Sequence, residues 1–595
     1  MVNLNSKVSK LGRILNIEYM GKWLFYGALV GIATGFASVI FYFGLNYCSS
    51  FLLGDMAGFH PPLPGGESSG HESSVNGMNY FLLIIPTIGG LISGIIVYSL
   101  APEAEGHGTD AVINAFHRLR GRIRKRVPLV KSIASMITIG SGGSAGREGP
   151  VAQIGAGFGS FLGDVFRVGE VDRRILLICG VAAGIGSIFK APLGGALFAI
   201  AVLYKHDYEV DAIIPSVISS IIAYSIFCSI VGWAPVFTTP EYNFTHPVEL
   251  LWYALIGIVC GLIGIIYVKV FYGLRDKVFR KIKVPRHLIP AIGGFMLGLL
   301  ALFFPEILGT GYGWIQEAIN GNLGLTLMII LIFAKILATS FTVSSGGSGG
   351  VFAPSLVIGA MIGGSIGNIS HSLFPGIITQ PSACVLVGMA SFFAGVANVP
   401  IVTLIMVCEM TNSYSLLVPL MLAEAISYVI TSRWGIYENQ VPTRADSPAH
   451  RHELSIDILE KLRVKDAMTG DVITVSPKDK VSYVSSLIEK YKHLGYPVIS
   501  KEGIVGIITA RDIASVPAGE RDTTEIGDIS SNNLVVAYSD ETLYDAMHKM
   551  VEADIGRLPV VDRKNPKKLV GILTKSDITI AYVKEEERIR CARRD

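Results

Sequence analysis

Glu148 stands in Gly146-Arg147-Glu148-Gly149-Pro150, a carboxylate two residues before a proline in otherwise apolar sequence. Proline is tolerated in a first helical turn because its missing N–H has no intrahelical partner there, so the pentapeptide predicts a helix start at Glu148. The glycines leave backbone N–H groups uncovered, and the helix dipole adds positive potential at that end. Such an end binds anions. A carboxylate in the same place can occupy the anion position and leave it on protonation, which makes a gate; the competing reading is a carboxylate that only caps the helix. A second start, Gly349-Gly350-Val351-Phe352-Ala353-Pro354, has the same design without an acid. Neutral N–H donors suit a passing anion better than a buried lysine, because binding must stay weak enough for release.

The two starts belong to a repeat. Ser141–Gly163 and Ser345–Gly367 align without a gap at an offset of 204 residues, with eleven of 23 positions identical. Gly180–Pro192 resembles Gly388–Pro400 at an offset of 208. Two related halves predict a pseudo-two-fold arrangement with the substrate between them.

Those halves lie in a membrane. The 595 residues are 50% hydrophobic and 16% charged, with mean hydropathy +0.51, against about 25% charged in soluble domains. Charge is scarce from Phe25 to Thr431 and ordinary beyond it. Runs able to cross about 30 Å of hydrocarbon include Trp23–Tyr47, Phe81–Leu100, Ala212–Val231, Leu250–Phe271 and Leu325–Phe341. Gly149–Val165, Ile175–Phe189 and Leu193–Tyr204 are too short or too Gly-rich to cross alone, as in transporters with broken helices. The basic runs His117–Arg126 and Arg275–Arg286, with Lys7, Lys10, Arg13 and Lys22, mark the cytoplasmic side and lipid phosphate contact. Ser50–Met78 and Phe303–Gly324 lack Lys and Arg and are expected outside. No cleavable signal peptide is expected, because the first apolar run follows about 22 basic and polar residues and is too long.

Other classes find little support. A net charge of +3 gives no case for nucleic acid, and the seven cysteines form no C-x-x-C pair. A divalent-cation channel would need rings of intramembrane acids, whereas Glu148 and Glu409 are almost the only acids deep in apolar sequence. A membrane hydrolase lacks H-E-x-x-H, and Gly142–Gly146 and Gly346–Gly350 fit G-x-S-x-G only within glycine runs. His107 and Asp110 are too few to predict a metal site. No enzyme activity, metal or required cofactor is expected.

The motifs GREGP and GGVFAP, in that order in the two halves, resemble the CLC family of chloride channels and proton-coupled chloride exchangers, over about residues 20 to 440. The resemblance implies a homodimer with one pathway per subunit and Glu148 as the external gate. It implies anion contacts from backbone N–H groups of Arg147, Glu148, Gly149, Val351 and Phe352, and from the hydroxyl of Tyr437. Gly106-His107-Gly108 falls where the family's first motif has a serine between glycines. The backbone frame is kept, but His107 replaces the hydroxyl, so chloride preference is less secure; a protonated ring would tighten binding as pH falls. Exchangers of the family carry an internal proton-transfer glutamate where this chain has Val202, which favours passive conduction slightly over exchange by another proton route. His206 and Asp207 are the nearest titratable alternatives, at the cytosolic boundary.

After Val464 the pattern becomes soluble α/β. Gly506-Ile507-Ile508-Thr509-Ala510-Arg511-Asp512 recurs as Gly571-Ile572-Leu573-Thr574-Lys575-Ser576-Asp577, and the whole resembles a tandem CBS pair. In nucleotide-binding pairs this Asp holds ribose hydroxyls and the Thr lies near phosphate. Thr509, Asp512, Thr574 and Asp577 are therefore candidates for a regulatory adenine nucleotide (ATP, ADP or AMP), against the reading that they only cap helices.

The expected architecture is an α-helical polytopic membrane protein with an inverted internal repeat, followed by a soluble α/β CBS pair. Its parts are a cytoplasmic segment 1–22, an anion-transport domain 23–440, a linker 441–462, CBS modules 463–517 and 526–583, and a charged tail 584–595. Expected partners are chloride and similar small anions, protons in the exchange case, the bilayer and a second copy. The plasma membrane is the expected location, with the N-terminus and CBS modules cytoplasmic.

Overall fold

Apolar runs broken by glycine and proline fold here as helices of very unequal length. The structure, a computed structural model, describes residues 17–67, 79–242, 244, 246–376, 379–450 and 458–592. Lys7, Lys10 and Arg13, part of the Ser50–Met78 loop and the end of the tail lie outside the described residues. Two units divide after Ala449.

In the first unit, the first half contributes α1 (Ile17–Ser49), α2 (Phe81–Leu100), α3 (Thr109–His117), α4 (Val127–Gly140), α5 (Glu148–Val165), α6 (Glu170–Ile188), α7 (Pro192–Ala201) and α8 (Ile213–Val231). The second half repeats this series as α9 (Glu249–Lys277), α10 (Ile289–Ala301), α11 (Tyr312–Ile319), α12 (Leu325–Ser344), α13 (Phe352–Leu373), α14 (Pro381–Ala397), α15 (Pro400–Thr411) and α16 (Leu417–Thr431). Six segments are long and apolar enough to cross a bilayer: Gly21–Met56, Phe81–Leu100, Val210–Val231, Glu249–Lys281, Leu325–Ser344 and Phe352–Leu373. The chain is a multi-pass integral membrane protein. The sixth span is the Gly-rich second repeat, which the apolar pattern alone does not single out. Phe303–Gly324 is not a plain loop, because α11 forms within it.

Glycine sets how closely the repeat helices approach. A Cβ on Gly155 of α5 would overlap the carbonyl of Gly180 on α6, and a Cβ on Gly359 of α13 would overlap that of Gly388 on α14. The halves meet through their equivalent turns. Gly142 and Gly346 adopt φ of 99° and 100°, a region costly for side-chain-bearing residues, and turn the chain between the helix ends. Ser135 Oγ lies 2.9 Å from Ser348 Oγ, and the equivalent pair, Ser144 Oγ and Thr339 Oγ1, is 3.1 Å apart.

The second unit contains α17 (Val464–Ala467) and α18 (Val481–Tyr491), followed by an antiparallel pair β1 (Gly495–Ser500) and β2 (Gly503–Thr509), then α19 (Ala510–Ala514) and α20 (Ile526–Ile529). A three-stranded sheet of β3 (Ala537–Tyr538), β4 (Arg557–Val561) and β5 (Leu569–Thr574) follows; α21 (Leu543–Glu552) precedes β4 and α22 (Lys575–Ala592) follows β5. The modules exchange their leading segments. Val464 is buried in the core of the second module, and Thr469 bridges Ile572 on β5; Ile526 is buried in the core of the first, and Ser531 bridges Ile507 on β2.

Candidate functional site: an anion pathway and its gate

The first intrahelical bonds of α5 and α13 run from Val151 N–H to Arg147 O and from Ser355 N–H to Val351 O. The N–H groups of Arg147, Glu148 and Gly149, and of Val351 and Phe352, precede those bonds and have no intrahelical acceptor. Gly146 and Gly350 bring these two helix starts side by side.

Glu148 is 1% exposed. Tyr312, the first residue of α11, donates its hydroxyl to Glu148 Oε1. Oε2 is buried, and the carboxyl also faces the backbone N–H groups of Glu148 itself and of Ala353 in the other repeat. A Cβ on Gly146 would overlap Oε2, so the carboxylate folds back over the Gly146 backbone. The carboxyl lies between the two repeats and is held from a third element by Tyr312.

The Arg147 side chain is committed elsewhere. Its Nη2 and Nη1 donate to Glu67 Oε1 and Oε2 at 2.7 and 3.2 Å, with both side chains buried. Its guanidinium lies between the rings of Tyr42 and Tyr312, 5.5 and 5.1 Å from their centroids. Glu67 is held in turn by its neighbours: Gly65 N–H donates to Gln316 Oε1 at 3.1 Å and Gly66 N–H to Val236 O at 3.2 Å. The two Nη groups of Arg147 are thus taken by Glu67, while its Nε is buried without a hydrogen-bond partner among the described residues.

On the other side, Gly106 and Gly108 adopt φ of 69° and 75° around His107. Lys131, buried on α4, donates to Ala104 O and Gly106 O at 3.0 and 2.7 Å. The second half repeats the device: Lys335 on α12 donates to Ile307 O and Gly309 O at 2.8 and 3.1 Å, and this loop leads into Tyr312. His107 Nδ1 is buried without a partner among the described residues, and the ring is 5.5 Å from that of Tyr437. Tyr437 is 2% exposed, with its hydroxyl toward Thr109, so it is not a surface tyrosine. Asp110 is taken by the backbone and side-chain amides of Asn439.

His107 also lines a cavity of about 390 Å³ whose walls include Arg122, Arg124, Arg275 and Arg280. Both basic runs therefore reach the cavity that contains His107, a role that topology alone does not predict. Charge count could not find it, because Arg126 and Arg275, the facing ends of the two runs, are 149 positions apart in sequence.

Val202 is 2% exposed and packed in the apolar core. His206 is exposed and bonds Tyr428 Oη at 2.7 Å, while Asp207 accepts from the N–H of Arg444 at 2.9 Å. The buried acid nearest Val202 in sequence is Glu209, which accepts from Tyr204 Oη at 2.5 Å. Glu424 on α16 is another buried acid that apolar runs conceal, with Oε1 unpartnered among the described residues.

In the second unit, Thr509 and Thr574 are each bonded to the aspartate three residues on. Each Thr donates its N–H and hydroxyl to Asp512 or Asp577 Oδ2 at 2.7–2.8 Å. Thr574 and Asp577 also line a cavity of about 460 Å³ with Lys492, His493, Arg557 and Lys575; that cavity does not include Thr509 or Asp512. Burial lowers the Arg557 pKa from its ordinary value.

Fold and site together define a membrane protein with two related halves whose equivalent helix starts meet side by side, followed by an α/β pair. Residues 89–432 match the voltage gated chloride channel family, and residues 464–519 and 526–584 match the CBS domain. The chain belongs to the voltage gated chloride channel (CLC) family. It is 32% identical to a putative chloride channel protein ClcB-like of Ralstonia nicotianae, over 59% of this chain and 83% of the relative. It is 32% identical to the H(+)/Cl(-) exchange transporter ClcA of Vibrio campbellii, over 58% and 76%, and 31% identical to the chloride channel protein CLC-e of Arabidopsis thaliana, over 68% and 59%. Among solved structures, a slow cyanobacterial Cl-/H+ antiporter shares the fold at TM-score 0.61 and 23% identity, covering 69% of this chain and 94% of that one. A eukaryotic CLC transporter covers 94% and 98% at TM-score 0.57 and 19% identity. Anion transport is the function that family membership carries.

Proposed function

We propose that the chain moves chloride through one pathway per subunit of a homodimer, with Glu148 as the gate. The observation that carries this reading is the buried Glu148 carboxyl, set at the start of α5 against the equivalent turn of the other repeat. There it competes with an anion for the N–H groups of Arg147, Glu148, Gly149, Val351 and Phe352. His107 and the Tyr437 hydroxyl, with Gly106 and Gly108, form the opposite end of the same pathway. The basic runs and CBS pair face the cytoplasm at the plasma membrane, and an adenine nucleotide regulates flux from the Thr574–Asp577 cavity.

Exchange for protons is the mode supported by relatives named as H(+)/Cl(-) exchange transporters. Passive conduction is the second reading, favoured by the buried, apolar Val202. Chloride efflux from liposomes with simultaneous proton recording separates them. Protons driven uphill by a chloride gradient establish exchange and a proton route that bypasses Val202. Chloride flux without proton movement establishes conduction. Absence of chloride flux in both wild type and Glu148→Gln sinks the transport reading.

A further inference from the structure

We propose that a cavity at the basic end of α9 holds the phosphate head group of an anionic membrane lipid. The cavity, about 530 Å³, is lined by Lys205, Lys269, Lys277 and Arg433, and also by Trp434 and Tyr437. Two acids share its walls, but both are engaged by arginine. Asp276 pairs with Arg275 and Arg280 at 2.9 Å, and Glu438 pairs with Arg275 at 2.8 Å. None of the four basic residues forms an ion pair with an acid among the described residues, so the cavity presents uncompensated positive charge.

The surroundings select a lipid as the source of the compensating phosphate. Along α9, Leu251, Leu255, Ile258, Leu262 and Ile266 are exposed at intervals of three or four residues, which places them on one helix face. This helix is long and apolar enough to cross the bilayer, so the exposed stripe faces acyl chains. Lys269 continues the stripe three residues on and ends it, with its Nζ 4.6 Å from the centre of the Trp434 ring. Val429, also exposed, precedes Arg433 by four residues at the end of α16. Apolar surface thus runs directly into positive charge and an exposed tryptophan. Tryptophan and basic side chains favour that boundary, and basic pockets between membrane helices suit anionic head groups. A free phosphate ion would use the cations but none of the apolar stripe. The lipid would rest against the Trp434–Glu438 segment that carries Tyr437.

Native mass spectrometry of the full-length protein in detergent, mixed with phosphatidylglycerol or phosphatidylcholine, tests this. Phosphatidylglycerol is expected to be retained over phosphatidylcholine. Its apparent affinity should fall about thirty-fold in Lys269→Gln/Arg433→Gln, the loss expected from removing two basic residues near an anionic group. Both side chains are exposed, so the variant should fold, which size-exclusion chromatography checks. The control Lys281→Gln/Lys283→Gln removes two exposed charges outside the cavity and should retain the lipid. Equal retention of the two lipids, an unchanged affinity in the cavity variant, or an equal loss in the control would overturn the proposal. Displacement of phosphatidylglycerol by millimolar inorganic phosphate would overturn the lipid assignment in favour of a soluble anion.

Discussion

Gly146 and Gly350 exchange both backbone hydrogen bonds, each N–H donating to the other's carbonyl at 2.7 Å. They are equivalent positions of the two repeats, 204 residues apart, so the pseudo-two-fold passes between them. Their spacing leaves no room for side chains: a Cβ on Gly146 would overlap Glu148 Oε2, and one on Gly350 would come within 2.9 Å of Gly149 N. Gly146→Ala is therefore expected to lower stability by about 1–3 kcal/mol and to push the carboxylate from its place, raising chloride efflux at neutral pH. Unchanged melting temperature and efflux would show that the turn relaxes without cost.

Among the described residues, Tyr312 supplies the one side-chain hydrogen bond to Glu148. Tyr312→Phe removes that donor and keeps the ring beside Arg147. A hydrogen bond to a charged group contributes about 1.5–3 kcal/mol, so the closed position should lose roughly one to two orders of magnitude in occupancy. Faster chloride efflux at neutral pH is expected. An efflux rate equal to wild type would remove Tyr312 from the gate.

Glu148→Gln separates gating from architecture. If protonation releases the carboxylate, wild-type flux rises as pH falls. The amide is neutral at every pH, so the variant should carry chloride at neutral pH as fast as wild type does in acid, with a flat profile. A variant that keeps the wild-type pH dependence would place the sensing group elsewhere.

Legibility in the sequence followed the range of the interaction. The helix starts at Glu148 and Phe352 were readable because proline and glycine set them locally. The repeat exposed the halves because equivalent turns reuse the same residues. Contacts between remote elements left no such trace. Glu67 lies 80 residues from Arg147 and Tyr312 lies 164 from Glu148, and neither separation has a periodic signature. Lys131 and Lys335 were readable in principle as charges 204 apart in apolar runs, matching the repeat offset. The CBS modules were legible as two motifs, but not their exchange of leading segments, since Val464 packs with Leu558 rather than with its own strand pair.

The ion pair of Arg147 and Glu67 is buried on both sides, at 4% and 6% side-chain exposure. Removing one partner of such a pair leaves a charge uncompensated, at a cost of about 3–5 kcal/mol. Glu67→Gln should therefore lower the thermal stability of the detergent-purified protein strongly. Glu67→Gln/Arg147→Gln should recover part of the loss, because no charge is then left buried alone. Equal destabilisation by single and double variants would mean that the Arg147 contacts with Tyr42 and Tyr312, not the ion pair, carry the stability.

The two CBS aspartates look alike in their bonding but not in their surroundings. Asp512 and Asp577 each accept from the preceding threonine in the same way, so capping alone predicts similar effects for the two alanine variants. Only Asp577 lines the cavity that also holds Lys492, His493, Arg557 and Lys575. In the proposed nucleotide site, those side chains would meet the phosphates while Asp577 would take the ribose hydroxyls. Asp577→Ala in the full-length protein should weaken ATP binding at least about tenfold, the loss of one charge-assisted hydrogen bond. Asp512→Ala should leave it within about twofold. Equilibrium binding of a fluorescent ATP analogue decides the matter, since equal losses in both variants would reduce the two motifs to helix caps and leave the cavity without this ligand.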